Sequence, residues 1–177
     1  MYFNSFPIIF YDSVGDLKFK DVTNLLRRVG LRAKIKSNSL LFDTYNVKEW
    51  ETPEIIASRL YGNPELHWVI LLLNDITDRY HQWPMTTPQF LDFINDKYDD
   101  PDGIHHYEKS QDSGDTKVKI EVFNEVDEDA YTGLTPITNR EYEENEQDKK
   151  RQIKLLDDRY LGAFITEFKE LMEESVI

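Results

Sequence analysis

The sequence predicts an α+β protein, with a small β-α-α-β core that carries an N-terminal arm, a β-hairpin insertion and a C-terminal amphipathic helix. Two helix start signals with an early proline follow each other at Thr52 and Asn63, after an alternating strand pattern. A long stripe of apolar residues at helical spacing lies near the end of the chain. We therefore expect four regions: an arm with a basic segment, a core, an acidic hairpin region and a C-terminal helix, at residues 1–42, 43–98, 99–140 and 141–177.

Composition and charge exclude several classes of function. The 177 residues include no Cys, which excludes disulfide scaffolds, thiol catalysis and all-thiolate metal sites. A formal net charge of −13 disfavours binding to nucleic acid, because phosphate contacts need a basic surface. The whole excess of acidic over basic side chains lies after residue 90, since the first 90 residues hold ten acidic and ten basic side chains. This asymmetry indicates either two solvated faces or complementary docking with neighbouring subunits.

The first eleven residues form an aromatic and apolar arm without the basic region or cleavage site of a secretory signal. Pro7 within it favours an edge strand or an extended segment over a helix. Such an arm either covers the chain's own core or inserts into a partner. Its candidate contact residues are Phe6, Ile8 and Phe10.

A basic stretch follows at 17–36, and we expect a short helix over 19–30 that ends at Gly30. Arg27 and Arg28 in this helix are candidates for contacting an acidic neighbour.

The core begins with a strand at Leu40–Val47. Thr52 is the expected N-cap of a first helix, Pro53 occupies its first turn, and Gly62 is placed where a left-handed cap belongs. The second helix, Leu66–Asn74, is apolar nearly all round, so we expect it to be buried between layers or against another subunit.

Two further elements complete the predicted core. The connection Tyr80–Met85 is expected to form a short closing strand, and Thr87-Pro88 opens a third helix. The most apolar run, Trp68–Leu73, is far shorter than the roughly 20 residues of a membrane helix. We therefore expect a soluble protein with no membrane partner.

The acidic half has a hairpin pattern at Ile104–Glu108 and Lys117–Phe123, then an acidic loop at Glu125–Asp129. A helix pattern extends over Glu141–Glu174 with one continuous apolar stripe. We expect this stripe and Trp68 to be anchors for partner proteins. The stripe residues are Ile153, Leu156, Tyr160, Phe164, Phe168 and Leu171.

The sequence offers little for catalysis or metal binding. His105 and His106 are adjacent, so on a regular strand they point to opposite faces and cannot chelate one metal together. The chain has no zinc-protease spacing, nucleophile elbow or glycine-rich phosphate loop. We therefore expect a protein that is not an enzyme and needs no cofactor.

The stretch from Tyr45 to Asn63 resembles the first half of a LysM module, with Tyr45-Asn-Val47, Thr52, Ile56-Ala57 and Tyr61-Gly62 in matching order. The resemblance implies a β-α-α-β fold and, as one candidate function, binding of N-acetylglucosamine polymers. The glycan groove would then be lined by Trp50, Glu51 and Asp75–Arg79.

A longer match covers more of the chain. Leu60–Asp75, with its Tyr-Gly-Asn-Pro block, and Arg151–Lys154 resemble segments of the T4-type phage baseplate wedge protein 53 family, which has a LysM-like domain. The resemblance implies a non-enzymatic structural component of a contractile tail, assembled in the host cytoplasm. Such a component clamps wedge subunits together in a hetero-oligomer and contacts the wedge core and the sheath-initiating protein.

Overall fold

The computed structural model describes residues 2–26, 29–30, 40–110, 117–120 and 134–173. Within these residues helices and short antiparallel sheets are mixed, which confirms the predicted α+β class. The chain forms two compact units, one of residues 1–83 together with 152–177, and one of residues 84–151.

The first unit begins with a β-hairpin. After a short 3₁₀ turn at Tyr2–Ser5, strand β1 (Ile8–Tyr11) pairs antiparallel with β2 (Lys20–Thr23). Pro7 stands immediately before β1, so the predicted edge strand is confirmed.

The helix expected over 19–30 is wrong for Lys20–Thr23, which is β2. Val22 and Thr23 are β-branched and favour a strand when β1 lies alongside to accept their hydrogen bonds. Arg27 and Arg28 lie outside the described residues.

A strand-helix-helix-strand arrangement follows. Strand β3 (Phe42–Asn46) leads to α1 (Pro53–Tyr61) and α2 (His67–Leu73), and β3 pairs antiparallel with β7 (Gln152–Leu156). The Thr52 hydroxyl accepts a hydrogen bond from the Ile55 N–H, and Gly62 adopts φ +67° at the end of α1, as predicted.

The sequence predicted the closing strand of this arrangement in the wrong place. Tyr80–Met85 was expected to be a strand, but the structure has a short helix there, α3 (Arg79–Gln82). The Asp78 carboxylate accepts hydrogen bonds from the Tyr80 and His81 N–H groups and so starts this helix. The strand that pairs with β3 comes instead from residues 152–156, beyond the second unit.

The single helix predicted over Glu141–Glu174 is therefore wrong for residues 152–156, which form a strand. The structure has α5 (Asn139–Arg151), then β7, then α6 (Asp158–Glu173). Ile153 and Leu156 are three residues apart, which suits a helix stripe. The pairing with β3 decides the conformation, however, and Ile153 lies opposite Tyr45.

Side-chain hydrogen bonds fix β7 against the two helices. The Asn74 amide donates to the carbonyl oxygens of Ile70 and Lys154 at 2.8 Å, and its oxygen accepts from the Lys154 N–H at 2.8 Å. The Tyr61 hydroxyl donates to the Leu156 carbonyl oxygen at 3.1 Å, and burial raises the pKa of Tyr61 to about 12. Tyr61 therefore remains a donor at neutral pH.

Helix α2 lies between two apolar clusters, so the expectation that it is buried is confirmed. On one side Trp68, Val69 and Leu73 pack with residues of α6, and the Trp68 and Phe168 ring centroids are 4.5 Å apart. On the other side Ile70 packs with Ile56, Ala57, Trp83, Ile153 and Leu155.

The second unit combines α4 (Thr87–Lys97) and α5 with a three-stranded sheet. The central strand β4 (Ile104–Ser110) pairs antiparallel with β5 (Lys117–Ile120) and with β6 (Thr135–Thr138). The predicted hairpin of β4 and β5 is confirmed, whereas residues 121–123 and the acidic loop Glu125–Asp129 lie outside the described residues.

Buried polar groups fix α5 inside this unit. The Glu143 carboxylate accepts hydrogen bonds from the Lys97 ammonium at 2.5 Å and the Tyr98 hydroxyl at 2.8 Å. Burial opposes ionisation of Glu143, but these two partners outweigh it and hold its pKa below the usual value. The Gln147 amide oxygen accepts from the Met85 N–H at 2.9 Å. The buried charge is thus paired, as its low exposure requires.

None of the helices among the described residues is long and apolar enough to cross a membrane.

We predict that Ile153→Asp lowers the free energy of unfolding by about 4 kcal/mol, because it places an unpaired charge in an apolar cluster. Thermal unfolding followed by circular dichroism measures the effect. Leu171→Asp, on the half-exposed side of α6, is the matched control and should change stability by less than about 1 kcal/mol. Equal melting temperatures for the two variants would contradict the placement of Ile153 in a buried strand.

Candidate protein-protein interface

The residues predicted as partner contacts fall into two groups in the structure. One group is buried inside the chain's own first unit, and Phe164 is packed against the same core. The buried residues are Phe6, Trp68, Ile153, Leu156 and Phe168.

The second group is exposed. Ile8 and Phe10 on β1 are 67% and 78% exposed, and Tyr160 and Leu171 on α6 are each 38% exposed. These four are therefore the most exposed of the predicted contact residues that the structure describes. Arg27 and Arg28 lie outside the described residues.

Exposed apolar residues continue beyond those predicted, along the hairpin and the segment that follows it. We call the exposed apolar side chains of residues 8–26 the hairpin surface. Besides Ile8 and Phe10 it contains Tyr11, Val14, Leu17, Phe19, Val22, Leu25 and Leu26. The high density of apolar residues after Asp12 could have indicated this surface. A helix was expected over 19–30, however, and a helix does not predict an exposed apolar hairpin.

The hairpin surface has two faces, because residues directly opposite in an antiparallel pair lie on the same side of a sheet. Phe10 is opposite Asp21, and Ile8 is opposite Thr23, so these four residues share one face. The other face carries the pairs of Ile9 with Val22 and Tyr11 with Lys20. Large apolar side chains are therefore exposed on both faces.

The turn of the hairpin is held by one carboxylate. Asp12 accepts hydrogen bonds from the N–H groups of Val14, Gly15 and Leu17 at 2.7–3.1 Å. Desolvation acts against ionisation, but these backbone donors together lower the pKa of Asp12. The arrangement directs the chain around the turn while Val14 and Leu17 remain at least 80% exposed.

The turn also contains backbone strain. Leu17 adopts φ +62°, a left-handed conformation that is unfavourable for a bulky residue without a local side-chain hydrogen bond. A strained apolar residue at an exposed turn is a feature that sites of recognition often retain.

The base of the hairpin is joined to the core of the first unit. Phe6, two residues before β1, is buried in the same apolar cluster as Trp68, and Val29, three residues after Leu26, packs against that cluster. The hairpin surface is thus presented by a segment whose two ends are fixed.

Several of the residues that would line a LysM glycan groove already have partners elsewhere in the chain. The Glu51 carboxylate accepts hydrogen bonds from the Tyr45 hydroxyl at 2.6 Å, the Lys48 N–H at 3.0 Å and the Arg59 guanidinium at 2.5 Å. Burial acts to raise the pKa of Glu51, but these donors outweigh it and lower the pKa.

Two other groove candidates are also engaged, since the Asp78 carboxylate caps α3 and Arg79 forms an ion pair with Glu54. Trp50 differs, because its side chain is 66% exposed and its backbone has φ +65°.

The two adjacent histidines do not point to opposite faces, as a regular strand would require. The Nδ1 atoms of His105 and His106 are 2.8 Å apart, and the His105 ring stacks on Tyr142. A register shift between β4 and β6 at Ile104/His106 breaks the regular alternation there. In the part of the chain that the structure describes, no group of three or more His, Asp or Glu residues could hold a metal ion.

Comparison with known proteins agrees with a role in assembly. Residues 3–89 match the family model described as Base plate wedge protein 53, a region that includes the whole hairpin surface. The Baseplate wedge protein gp53 of Enterobacteria phage T4 is 27% identical over 145 residues, which cover 75% of this chain and 74% of that protein.

These matches define the class of protein as a structural protein of the phage tail baseplate, and hence a virion component. The chain belongs to the baseplate wedge protein 53 family.

The lowered pKa of Glu51 predicts a pH dependence of stability. A carboxylate whose pKa is lower in the folded state stabilises the fold above its unfolded value and loses that effect as the pH falls through the folded value. The melting temperature should therefore fall as the pH drops below about 4.3, and Glu51→Gln should reduce this fall. The neighbouring exposed Glu49→Gln is the control. An identical pH profile for wild type and Glu51→Gln would show that Glu51 does not contribute.

Proposed function

We propose that the chain is a structural subunit that clamps wedge subunits of a phage tail baseplate together, with contacts to the wedge core and to the sheath-initiating protein. The hairpin surface is the observation that carries the proposal. Its apolar side chains are exposed on a two-stranded ribbon, on the turn of that ribbon and just after it, and such a ribbon is at best marginally stable in water by itself.

A large exposed apolar patch on a protein usually marks an interaction site. Assembly into a baseplate would remove the hairpin surface from water and supply the free energy of association. Family membership supports a protein assembly as the setting, because the family and the relative from phage T4 are both described as baseplate wedge proteins. We further propose that this assembly takes place in the host cytoplasm and is hetero-oligomeric.

The distribution of charge supports different roles for the first 90 residues and for the remainder of the chain. The first 90 residues are neutral and contain the hairpin surface, whereas the excess of acidic side chains lies in the remainder. An apolar surface supplies affinity, and an acidic surface selects neighbours of opposite charge and sets orientation. Tyr160 and Leu171 on α6 would form a second, smaller contact.

We also propose that β3, α1, α2 and β7 form a LysM-like core. The order strand, helix, helix, strand and the antiparallel pairing of the two strands support this proposal. The second unit is then an insertion between α3 and the closing strand, since β7 follows residue 151.

Glycan binding is the alternative function, and the exposed Trp50 favours it, because sugar rings stack on aromatic faces. The carboxylate of Glu51 and the side chains of Asp78 and Arg79 already have partners within the chain, which argues against it. Calorimetric titration with chitin or peptidoglycan oligomers separates the functions. Micromolar binding that Trp50→Ala abolishes would support the alternative.

The proposed function predicts that the tagged chain co-purifies with baseplates from infected cells. A variant in which a glycine-serine linker replaces residues 8–23 should be recovered at less than a tenth of the wild-type level, because the apolar contact is gone. Circular dichroism checks that the variant is folded. Recovery at the wild-type level would show that the hairpin surface is not a contact, and absence of the wild-type chain from baseplates would refute the proposed role.

A further inference from the structure

We infer that the partner protein encloses the hairpin surface on both faces, in a cleft with two apolar walls. The inference rests on the proposed function and specifies the partner for that same surface. A flat partner surface would cover one face of the ribbon and leave the other in water.

The strand register supports enclosure. Phe10 and Ile8 are exposed on one face, and Tyr11 and Val22 are exposed on the other. A hairpin that packs on one flat surface normally alternates apolar and polar residues, with the polar ones facing water. Here consecutive residues of β1 are all large and apolar, the pattern of strands that are buried on both faces.

The turn extends the same argument to the end of the hairpin. Val14 and Leu17 are about 80% exposed, at a position where turns normally carry polar residues. Asp12 accepts hydrogen bonds from three backbone N–H groups of the turn, so these three donors stay paired when the apolar tip enters a cleft.

The size of the surface fits a stable complex. The exposed fractions of its nine large side chains correspond to about six fully exposed residues. At roughly 150 Å² for each large side chain, this is about 900 Å². A standard interface buries about 800 Å² on each partner, so the hairpin surface alone is large enough for one side of a specific complex.

Charge identifies the class of partner. Residues 8–26, which contain the whole hairpin surface, carry Lys18 and Lys20 against Asp12, Asp16 and Asp21, and the basic residues from Arg27 onward follow this segment in the sequence. A surface that binds nucleic acid or an anionic membrane needs a clear excess of positive charge, which this segment lacks. A near-neutral, mainly apolar surface is complementary to an apolar protein cleft.

The test introduces one charge on each face and leaves the pairing of the strands intact. Phe10→Lys places a base opposite Asp21, and Tyr11→Glu places an acid opposite Lys20, so each new charge has a cross-strand partner. The controls, Asp21→Asn and Lys20→Gln, change polar residues of the same two faces. Full-length tagged chains are produced during infection, and their recovery in purified baseplates is measured.

Enclosure predicts that Phe10→Lys and Tyr11→Glu each reduce recovery at least tenfold, whereas both controls stay within twofold of wild type. Wild-type recovery of either face variant would overturn the inference and leave the proposed function standing. Absence of the wild-type chain from baseplates would overturn both.

The absence of Cys allows a second measurement that does not depend on loss of binding. Asp21→Cys and Lys20→Cys place a single thiol on each face, and maleimide labelling compares the free chain with assembled baseplates. Both thiols should react in the free chain and be protected after assembly. A thiol that remains reactive after assembly on either face would overturn enclosure.

Two experiments with the purified chain test whether a lipid surface or a second copy of the chain covers the hairpin surface instead. Flotation with vesicles of phosphatidylethanolamine and phosphatidylglycerol tests a lipid surface, and sedimentation over a range of concentrations tests a second copy. The inference predicts neither vesicle binding nor a dimer that depends on Phe10. Either result, if abolished by Phe10→Lys, would assign the surface to that occupant and overturn the inference.

Discussion

The antiparallel pairing of β3 with β7 is the contact on which the first unit depends. It joins Tyr45 to Ile153 across more than a hundred residues, so its formation has a large entropic cost of loop closure. Two features offset that cost. The side chains of Ile153 and Leu155 complete one apolar cluster, and the Asn74 amide bonds to the backbone of β7. The same pairing places α6 directly after β7, where it covers Trp68.

Local signals in the sequence were sufficient to predict α1 and α2. Thr52 and Gly62 mark the ends of α1 because capping depends on residues within one turn, and the apolar composition of α2 indicates burial on all sides. The location of β7 could not be predicted in this way. Ile153 and Leu156 fit both helical spacing and a buried strand, and only the distant β3 decides between the two.

The sequence predicted only part of the candidate interface, and the physical reason is related. An apolar stripe shows which side of an element avoids water, but it does not show which molecule covers that side. Trp68 and Phe168 cover each other within the chain, whereas Phe10 on β1 remains in water. The apolar side chains in the interior of the first unit are therefore buried, whereas those of its hairpin remain exposed to water. This combination suits a subunit that folds before assembly and whose hairpin is then covered by its neighbours.

Hydrogen–deuterium exchange of the free chain and of the chain in assembled baseplates tests this account most directly. The account predicts that amides of residues 8–23 exchange rapidly in the free chain and slow by at least a hundredfold after assembly. Amides of β3 and β7 should be protected in both states, because their pairing does not depend on a partner. Equal exchange of the hairpin amides in the two states would contradict the claim that the baseplate covers the hairpin surface.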